Sequence, residues 1–459
     1  MNDKLDRRNF INNVSLAGVS LAFGMPQVTY GKTTDAKPAI LGGPKAHPTS
    51  FPSWPIVERP DENALLEALN SKKWGRLNGE AVRSFEEAFK YLSGAKHCLA
   101  VSSGTSALFT ALGALDIGPG DEVIIPVYTF VATYYVVVLN YALPRFVDTD
   151  IESFQVDANQ IEKAITPQTK VIMPVHIGGS PADLDTILEL GNKHHIPIVE
   201  DACQAPMAEW RGEKVGTLGL AGAISFQSSK NLTSGEGGAL LTNDTEFAQS
   251  CYVFHNQGRN APNTKLHSRG TNLRMTEFQG RLLLAQMERF KAQVDCRCEN
   301  AAYLSRLLNE IPGIYPAKLF KGVTKSAYHL YMFRYDKREF QGMDRSKFLV
   351  ALQAEGIPCS GGYGMLNKEK YVTNLAKNKH YLKIYGEKTM KDWLEQNHCP
   401  QNDQLCKEAV WFSQSMLLGS RQDMEQIAQA IQKIRKYAGD LLIFLTKINL
   451  LSVDLSKPN

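Results

Sequence analysis

The sequence predicts an α/β protein: a mostly parallel seven-stranded sheet with helices on both faces, followed by a smaller α+β unit. Three observations carry this. Short apolar runs alternate with helical-period segments from residue 98 to 242, the pattern of strands joined by crossover helices. The chain has 459 residues, more than one small core takes up, so two domains plus accessory segments are expected. Two of the apolar runs lead into functional polar residues, as buried parallel strands do when they deliver side chains to a site along their C-terminal edge.

Composition excludes several classes. Apolar residues make up 43% and charged residues 21% of the chain, an ordinary globular balance. The net charge of +4 is spread without a basic block, so no nucleic-acid partner is indicated. The eight cysteines are scattered with no CxxC spacing, and neither a disulfide framework nor a metal site is expected. No window approaches the length of a membrane span.

In chain order, residues 1–31 read as a leader. Asp6-Arg7-Arg8-Asn9-Phe10-Ile11 precedes a mild apolar segment over 14–24, which resembles a twin-arginine export signal and implies a periplasmic or exported protein. An amphipathic or disordered N-terminus on a cytoplasmic protein is the alternative. Residues 36–54 form a Gly- and Pro-rich extended lead-in, and 62–69 and 81–92 have helical spacing, with Gly79 between them. Strands are expected at 98–102, 122–127, 144–148, 170–175, 196–201, 223–228 and 238–242, with helices at 105–115, 129–139, 158–165 and 184–193. A long helix over 275–308 leads away, followed by a strand at 328–335, a helix at 345–354, a strand near 357–360 and a helix at 424–437. The domains are therefore 36–300 (large), 301–440 (small) and a C-terminal extension, 441–459, whose apolar run over 441–453 reads as packed.

Two polar deliveries organise the chemistry. The run Ile198-Val199-Glu200-Asp201 ends on an acid, and an ionised acid after a buried strand calls for a cationic partner. The run Ala223-Ile224-Ser225-Phe226 leads to Lys230. A carboxylate and a lysine on one rim are the pair a pyridoxal phosphate enzyme needs: the lysine forms a Schiff base with the aldehyde, and the acid keeps the ring nitrogen protonated. Ser103-Gly104-Thr105-Ser106 joins the first strand to a helix N-terminus, where free amides suit a phosphate; a plain N-cap is the other reading. Phe130 after the second strand can lie on a planar ring, or be core. Ser225 can add a phosphate contact. Gln204 can reach the ring's phenolic oxygen or cap a helix. His176 reads equally as a site residue and as a hydrogen-bonded core histidine.

In this order, these segments resemble the DegT/DnrJ/EryC1/StrS family of fold-type-I, pyridoxal phosphate-dependent sugar aminotransferases. The matching phrases are Ser103-Gly104-Thr105-Ser106-Ala107-Leu108, Gly118-Pro119-Gly120-Asp121-Glu122-Val123, Tyr128-Thr129-Phe130-Val131-Ala132-Thr133, Pro174-Val175-His176, Glu200-Asp201-Ala202, Lys230-Asn231-Leu232 and Asn272-Leu273-Arg274-Met275-Thr276-Glu277. The resemblance implies that Lys230 holds the cofactor and then shuttles a proton, Asp201 pairs with the pyridine nitrogen and Phe130 stacks on the ring. Ser103, Gly104, Thr105 and Ser225 would hold the phosphate, together with Asn272 of a neighbouring subunit, which places the site at a homodimer interface. Arg274, His176 and Tyr363 are substrate-contact candidates, Arg274 for the carboxylate of the amino donor.

The reaction so implied moves an amino group from glutamate or glutamine to a keto-sugar or keto-cyclitol. Leu273 stands where the family often has serine. The segment 328–364, with Phe340-Gln341-Gly342 and Gly361-Gly362-Tyr363, is similar to the cyclitol aminotransferase branch. A dehydratase using the same cofactor and a non-catalytic binding protein on the same fold are the alternatives. Relatives that dehydrate carry histidine in place of the lysine, and Lys230 is present.

Overall fold

In a computed structural model of the chain, the backbone is described for residues 36–258 and 269–454. The expected leader over 1–31 lies outside the described residues. Strands β1 (His97–Val101), β2 (Glu122–Pro126), β3 (Leu143–Val147), β4 (Thr169–Ile172), β5 (Val199–Asp201), β6 (Ala221–Ser225) and β7 (Gly238–Thr242) form the central sheet. Two ladders, β3-β2-β4 and β5-β6-β7-β1, meet through the parallel bridges Ile172–Ile198 and Val175–Asp201. Neighbours run parallel except β7, which opposes both β6 and β1.

Alternation along the strands divides the core between the two faces. Leu99 and Val101 of β1 join Leu108, Tyr134 and Phe247 from helices α3 (Gly104–Ala114), α4 (Val131–Leu139) and α7 (Thr245–His255). Ala100 faces the other way, toward Phe85 and Phe89 of α2 (Ala81–Ser93) and Leu283 and Phe290 of α8 (Glu277–Asn309). Helices α1 (Arg59–Ser71), α5 (Ala158–Ala164) and α6 (Leu184–His194) complete the large unit. Gly79 is required between α1 and α2, because the Glu277 carboxylate fills the place of a Cβ there, 2.1 Å away. That carboxylate caps α2, accepting from the amides of Ala81 at 2.6 Å and Val82 at 3.2 Å.

The small unit contains an antiparallel sheet of β8 (Ile314–Pro316), β9 (Leu330–Tyr335) and β10 (Ala409–Ser413) in the order β8-β9-β10. Leu304 and Leu308 of α8, Phe348 and Leu352 of α9 (Arg345–Ala354) and Ile427 and Ile431 of the helix Arg421–Lys436 pack on it. The strand expected near 357–360 is a single bridge, Ser360–Trp411. Gly356 is left-handed at φ 88° and Pro358 offers no N–H to a ladder, so β10 takes the place beside β9. Leu441 and Leu445, within the helix Ala438–Asp454, are buried, while Ile443 is 59% exposed; the side chains of the rest of the expected run, 448–453, lie outside the described residues. Among the described residues, no helix is long and apolar enough to cross a membrane.

Residues 366–399 cover the open edge of the large sheet. Leu366, Val372, Tyr381 and Trp393 share a core with β2 and α4. Trp393 Nε1 donates to Pro144 O at 2.7 Å and Tyr381 Oη to Ala142 O at 3.0 Å, which blunts edge strand β3.

The lead-in is strapped to the small unit through a buried ion pair. Glu355 accepts from Ala39 N at 2.7 Å, Ala46 N at 2.8 Å and Lys433 Nζ at 2.8 Å, and Lys433 also donates to Pro44 O. Glu355→Ala leaves the Lys433 charge buried without its partner. The variant is expected to lose about 3–5 kcal/mol of stability, read from the denaturant midpoint; an unchanged midpoint would show that the strap contributes nothing.

Candidate active site at the strand ends

A cavity of about 580 Å³ opens at the C-terminal edge of the sheet. The local sequence explains its floor. Ser103 caps α3, its Oγ accepting from Ser106 N at 3.0 Å, which leaves the earlier amides of Gly104 and Thr105 without intrahelical acceptors. A Cβ on Gly104 would lie 2.7 Å from Cys203 Sγ and 2.8 Å from Ser225 Cβ, so only glycine lets the helix start approach the ends of β5 and β6. Ser103, Gly104, Thr105 and Ser225 all line the cavity, concentrating free amides and hydroxyls at a helix N-terminus.

Asp201 ends β5 and is 5% exposed. Its Oδ2 accepts from Thr133 Oγ1 at 2.8 Å and its Oδ1 from Cys203 N at 3.2 Å. Among the described residues it forms no salt bridge, so a buried carboxylate faces the cavity with neutral donors only. Lys230 stands in the same wall. Its backbone is fixed by Lys230 N→Gln227 O at 2.8 Å, and its Nζ has no hydrogen-bond acceptor among the described residues. Burial pushes the lysine below its ordinary value, while the nearby Cys203 and Asp201 oppose that shift. Phe130, at the start of α4, is 55% exposed at the cavity margin.

Gln204 is buried and fixed at both ends of its amide: Oε1 accepts from Gly178 N at 2.8 Å and Nε2 donates to Tyr363 Oη at 2.9 Å. Tyr363 therefore spends an acceptor lone pair on Gln204 and keeps its proton to donate. Its ring packs edge-on against Trp411, centroids 4.5 Å apart, forming the small-unit wall of the cavity.

Three expected residues stand apart from this cavity. His176 is fully buried. Its Nδ1 accepts from Ala182 N at 3.1 Å, so Nε2 carries the proton and donates to Glu200 Oε2 at 2.9 Å. Glu200 also binds the amides of Gly216, Leu218 and Gly219. The pair thus ties the end of β4 to the turn before β6 and leaves His176 no free ring nitrogen for a substrate. Asn272 and Arg274 lie on an extended segment beyond β1, with bridges Asn256–Asn272 and Val101–Arg274. Asn272 is exposed, and the Arg274 guanidinium donates to Asn256 Oδ1 at 2.8 Å.

Sequence reasoning missed two residues of the site. Thr133 sits one turn after Thr129 in a segment already singled out, and that helical spacing was the available signal for its contact with Asp201. His329, at the head of β9, had no local signal; the fold alone brings it to the cavity wall.

The model of the DegT/DnrJ/EryC1/StrS aminotransferase family matches residues 56–432. The chain is 34% identical over 420 residues to an L-glutamine:2-deoxy-scyllo-inosose aminotransferase from Streptoalloteichus tenebrarius, covering 88% of this chain and 98% of the relative. It is 31% identical over 385 residues to a 3-amino-5-hydroxybenzoate synthase from Amycolatopsis mediterranei, covering 83% of this chain and 96% of that one. The crystal structure of a 3-amino-5-hydroxybenzoic acid synthase superposes with a TM-score of 0.74 at 31% identity, over 84% of this chain and 98% of the other.

Proposed function

This chain belongs to the DegT/DnrJ/EryC1/StrS aminotransferase family, whose members are pyridoxal phosphate enzymes, and from that premise we propose that it transfers an amino group from glutamine or glutamate to a keto-cyclitol or keto-sugar. The observation that carries the reading is that a buried Asp201 carboxylate without a salt bridge and a Lys230 amine without a hydrogen-bond acceptor among the described residues share one cavity, above the open amides of α3. These residues fit the cofactor. When bound, it supplies an aldehyde that captures amines and a ring that takes up electrons from the reacting carbon.

The chain's own groups then divide the work. Thr133 Oγ1 and the Cys203 amide orient the Asp201 carboxylate, which would pair with the cofactor's ring nitrogen. Thr105, Ser225 and the α3 amides would receive its phosphate. Phe130, at the cavity margin, would lie against the ring, and Gln204 Nε2 has a second proton to offer it. Lys230 Nζ would hold the cofactor and then serve as the proton carrier.

The cyclitol reading is supported by the inosose aminotransferase relative and by the hydroxyl that Tyr363 keeps free to donate. The test supplies 2-deoxy-scyllo-inosose and glutamine labelled with ¹⁵N at the α-amino group. Labelled amine in the product is expected; water loss from the ketone without label would replace the reading by dehydration.

A homodimer completes the site in this reading. Asn272 is exposed and is not part of its own cavity's lining, and Leu66, Trp74 and Leu77 expose 52%, 52% and 59% of their surface, apolar surface of the kind that partners cover. Mixing Lys230→Ala with Asn272→Ala subunits is expected to restore activity that neither has alone, since one hybrid site regains both residues. Failure of reassorted chains to recover would contradict the shared site.

Export through the leader is the accompanying proposal, supported by Arg7-Arg8 and the mild apolar segment that follows. Fractionation is expected to find the protein in the periplasm, and the double variant Arg7→Lys, Arg8→Lys retained in the cytoplasm. Cytoplasmic location of both would refute export.

A further inference from the structure

The turn that carries Lys230 is braced almost entirely by itself. Lys230 N donates to Gln227 O at 2.8 Å, and Ser229 N and Oγ donate to Gln227 Oε1 at 2.9 and 2.7 Å. Gln227 N reaches back to Ser225 Oγ at 3.3 Å. Among the described residues, one hydrogen bond comes to residues 227–230 from elsewhere in the chain: Trp54 Nε1 of the lead-in donates to Ser228 O at 3.0 Å.

Trp54 is itself held. Its ring lies over the guanidinium of Arg297 on α8, with Cζ 5.3 Å from the ring centroid, inside the range of a cation–π contact. Arg297 is fully buried and forms no salt bridge among the described residues. Its Nε and Nη2 both donate to Gln414 Oε1, just beyond β10, and its Nη1 is buried without an acceptor. A guanidinium taken out of water without a carboxylate needs a compensating partner, and the electron-rich face of Trp54 is placed against it. Burial draws Arg297 down to about 9, which leaves it a cation at neutral pH.

We propose that Trp54 is a positioning residue for Lys230: seated on the Arg297 guanidinium, its Nε1 pins Ser228 O and so sets the direction from which the lysine side chain enters the cavity. The proposal rests on the reading of Lys230 as the cofactor-binding lysine. The lead-in that carries Trp54 is strapped to the small unit through Glu355 and Lys433, and Gln414 belongs to the same unit. The small unit therefore fixes Trp54 by two routes, while the turn it pins belongs to the large one.

The test pairs Trp54→Phe, which keeps a ring over Arg297 and deletes the donor, with Arg297→Met, which keeps the indole and removes the cation beneath it. Two readouts are taken at a temperature where circular dichroism shows each variant folded. They are the rate at which the yellow band forms when pyridoxal phosphate is added to the apoprotein, and kcat against KM for glutamine. Trp54→Phe is expected to slow band formation and lower kcat roughly 3- to 10-fold, with KM unchanged. Arg297→Met is expected to show losses in the same direction. The double variant is expected to lose no more than Trp54→Phe alone, because the cation acts only through the indole. Should the Phe variant fail to fold, Arg297→Met carries the test, and wild-type values in it overturn the proposal. Otherwise three results overturn it: wild-type values in Trp54→Phe, a rise in KM with kcat intact (a substrate contact), or additive losses in the double variant (two separate packing roles). A colourless wild type overturns the Lys230 reading and this proposal with it; a yellow wild type beside an unimpaired Trp54→Phe overturns this proposal alone.

Discussion

Lys230→Ala is expected to lower amino transfer by about 10⁴-fold or more while the protein keeps its fold. The loop that carries the lysine does not depend on its side chain. Ser229 N donates to Gln227 Oε1 at 2.9 Å, Lys230 N to Gln227 O at 2.8 Å, and Trp54 Nε1 reaches Ser228 O at 3.0 Å from the lead-in. Truncation therefore removes an amine that burial already disfavours as an ammonium and disturbs no hydrogen bond of the scaffold. Turnover measured with glutamine, together with borohydride trapping of the cofactor on the peptide holding residue 230, checks this. Wild-type turnover, or trapping on another lysine, would remove Lys230 from the mechanism.

Asp201→Asn is expected to separate catalysis from stability. Losing the charge opposite the ring nitrogen is expected to cost about 3–5 kcal/mol in kcat/KM, roughly 10²- to 10⁴-fold. The apoprotein should be no less stable. In the cofactor-free chain this carboxylate is buried with only neutral donors, Thr133 Oγ1 and Cys203 N, so neutralising it relieves a desolvation cost rather than breaking an ion pair. The paired measurement is kcat/KM beside the denaturant midpoint of the apoprotein. A fall in the midpoint with kcat/KM preserved would make Asp201 a structural acid.

The elements legible in the sequence are those whose signal is local. Strands β1 to β7 are short apolar runs bounded by turns, and the long helix α8 shows helical spacing throughout, ending within two residues of the expected bounds. Asp201, Lys230 and the Ser103–Thr105 turn were visible because a polar residue after a buried run is rare and needs a reason. What stayed hidden depends on distance. His329 reaches the cavity only because the segment before β9 is held to the Lys230 loop through Asn231 and Ala327. Residues 366–399 look like an ordinary run of short helices; their burial against β3 is decided by Trp393 and Tyr381 finding carbonyls on an edge strand. His176 shows the opposite case: its motif is local, but its meaning comes from Glu200, whose four contacts with the ring and the 216–219 turn make both residues part of the scaffold. The strand expected at 357–360 failed on backbone chemistry, since Gly356 turns the chain and Pro358 cannot pair.

The central claim is that one cavity joins Lys230, Asp201 and the α3 amides into a site for pyridoxal phosphate that exchanges amino groups. Its most direct test is the visible absorbance of the purified protein with cofactor, before and after glutamine or glutamate is added. A yellow band that appears in wild type, is absent in Lys230→Ala and is bleached by the amino donor is the predicted result. A wild-type protein that stays colourless with added cofactor, or a band that no amino donor changes, would contradict it.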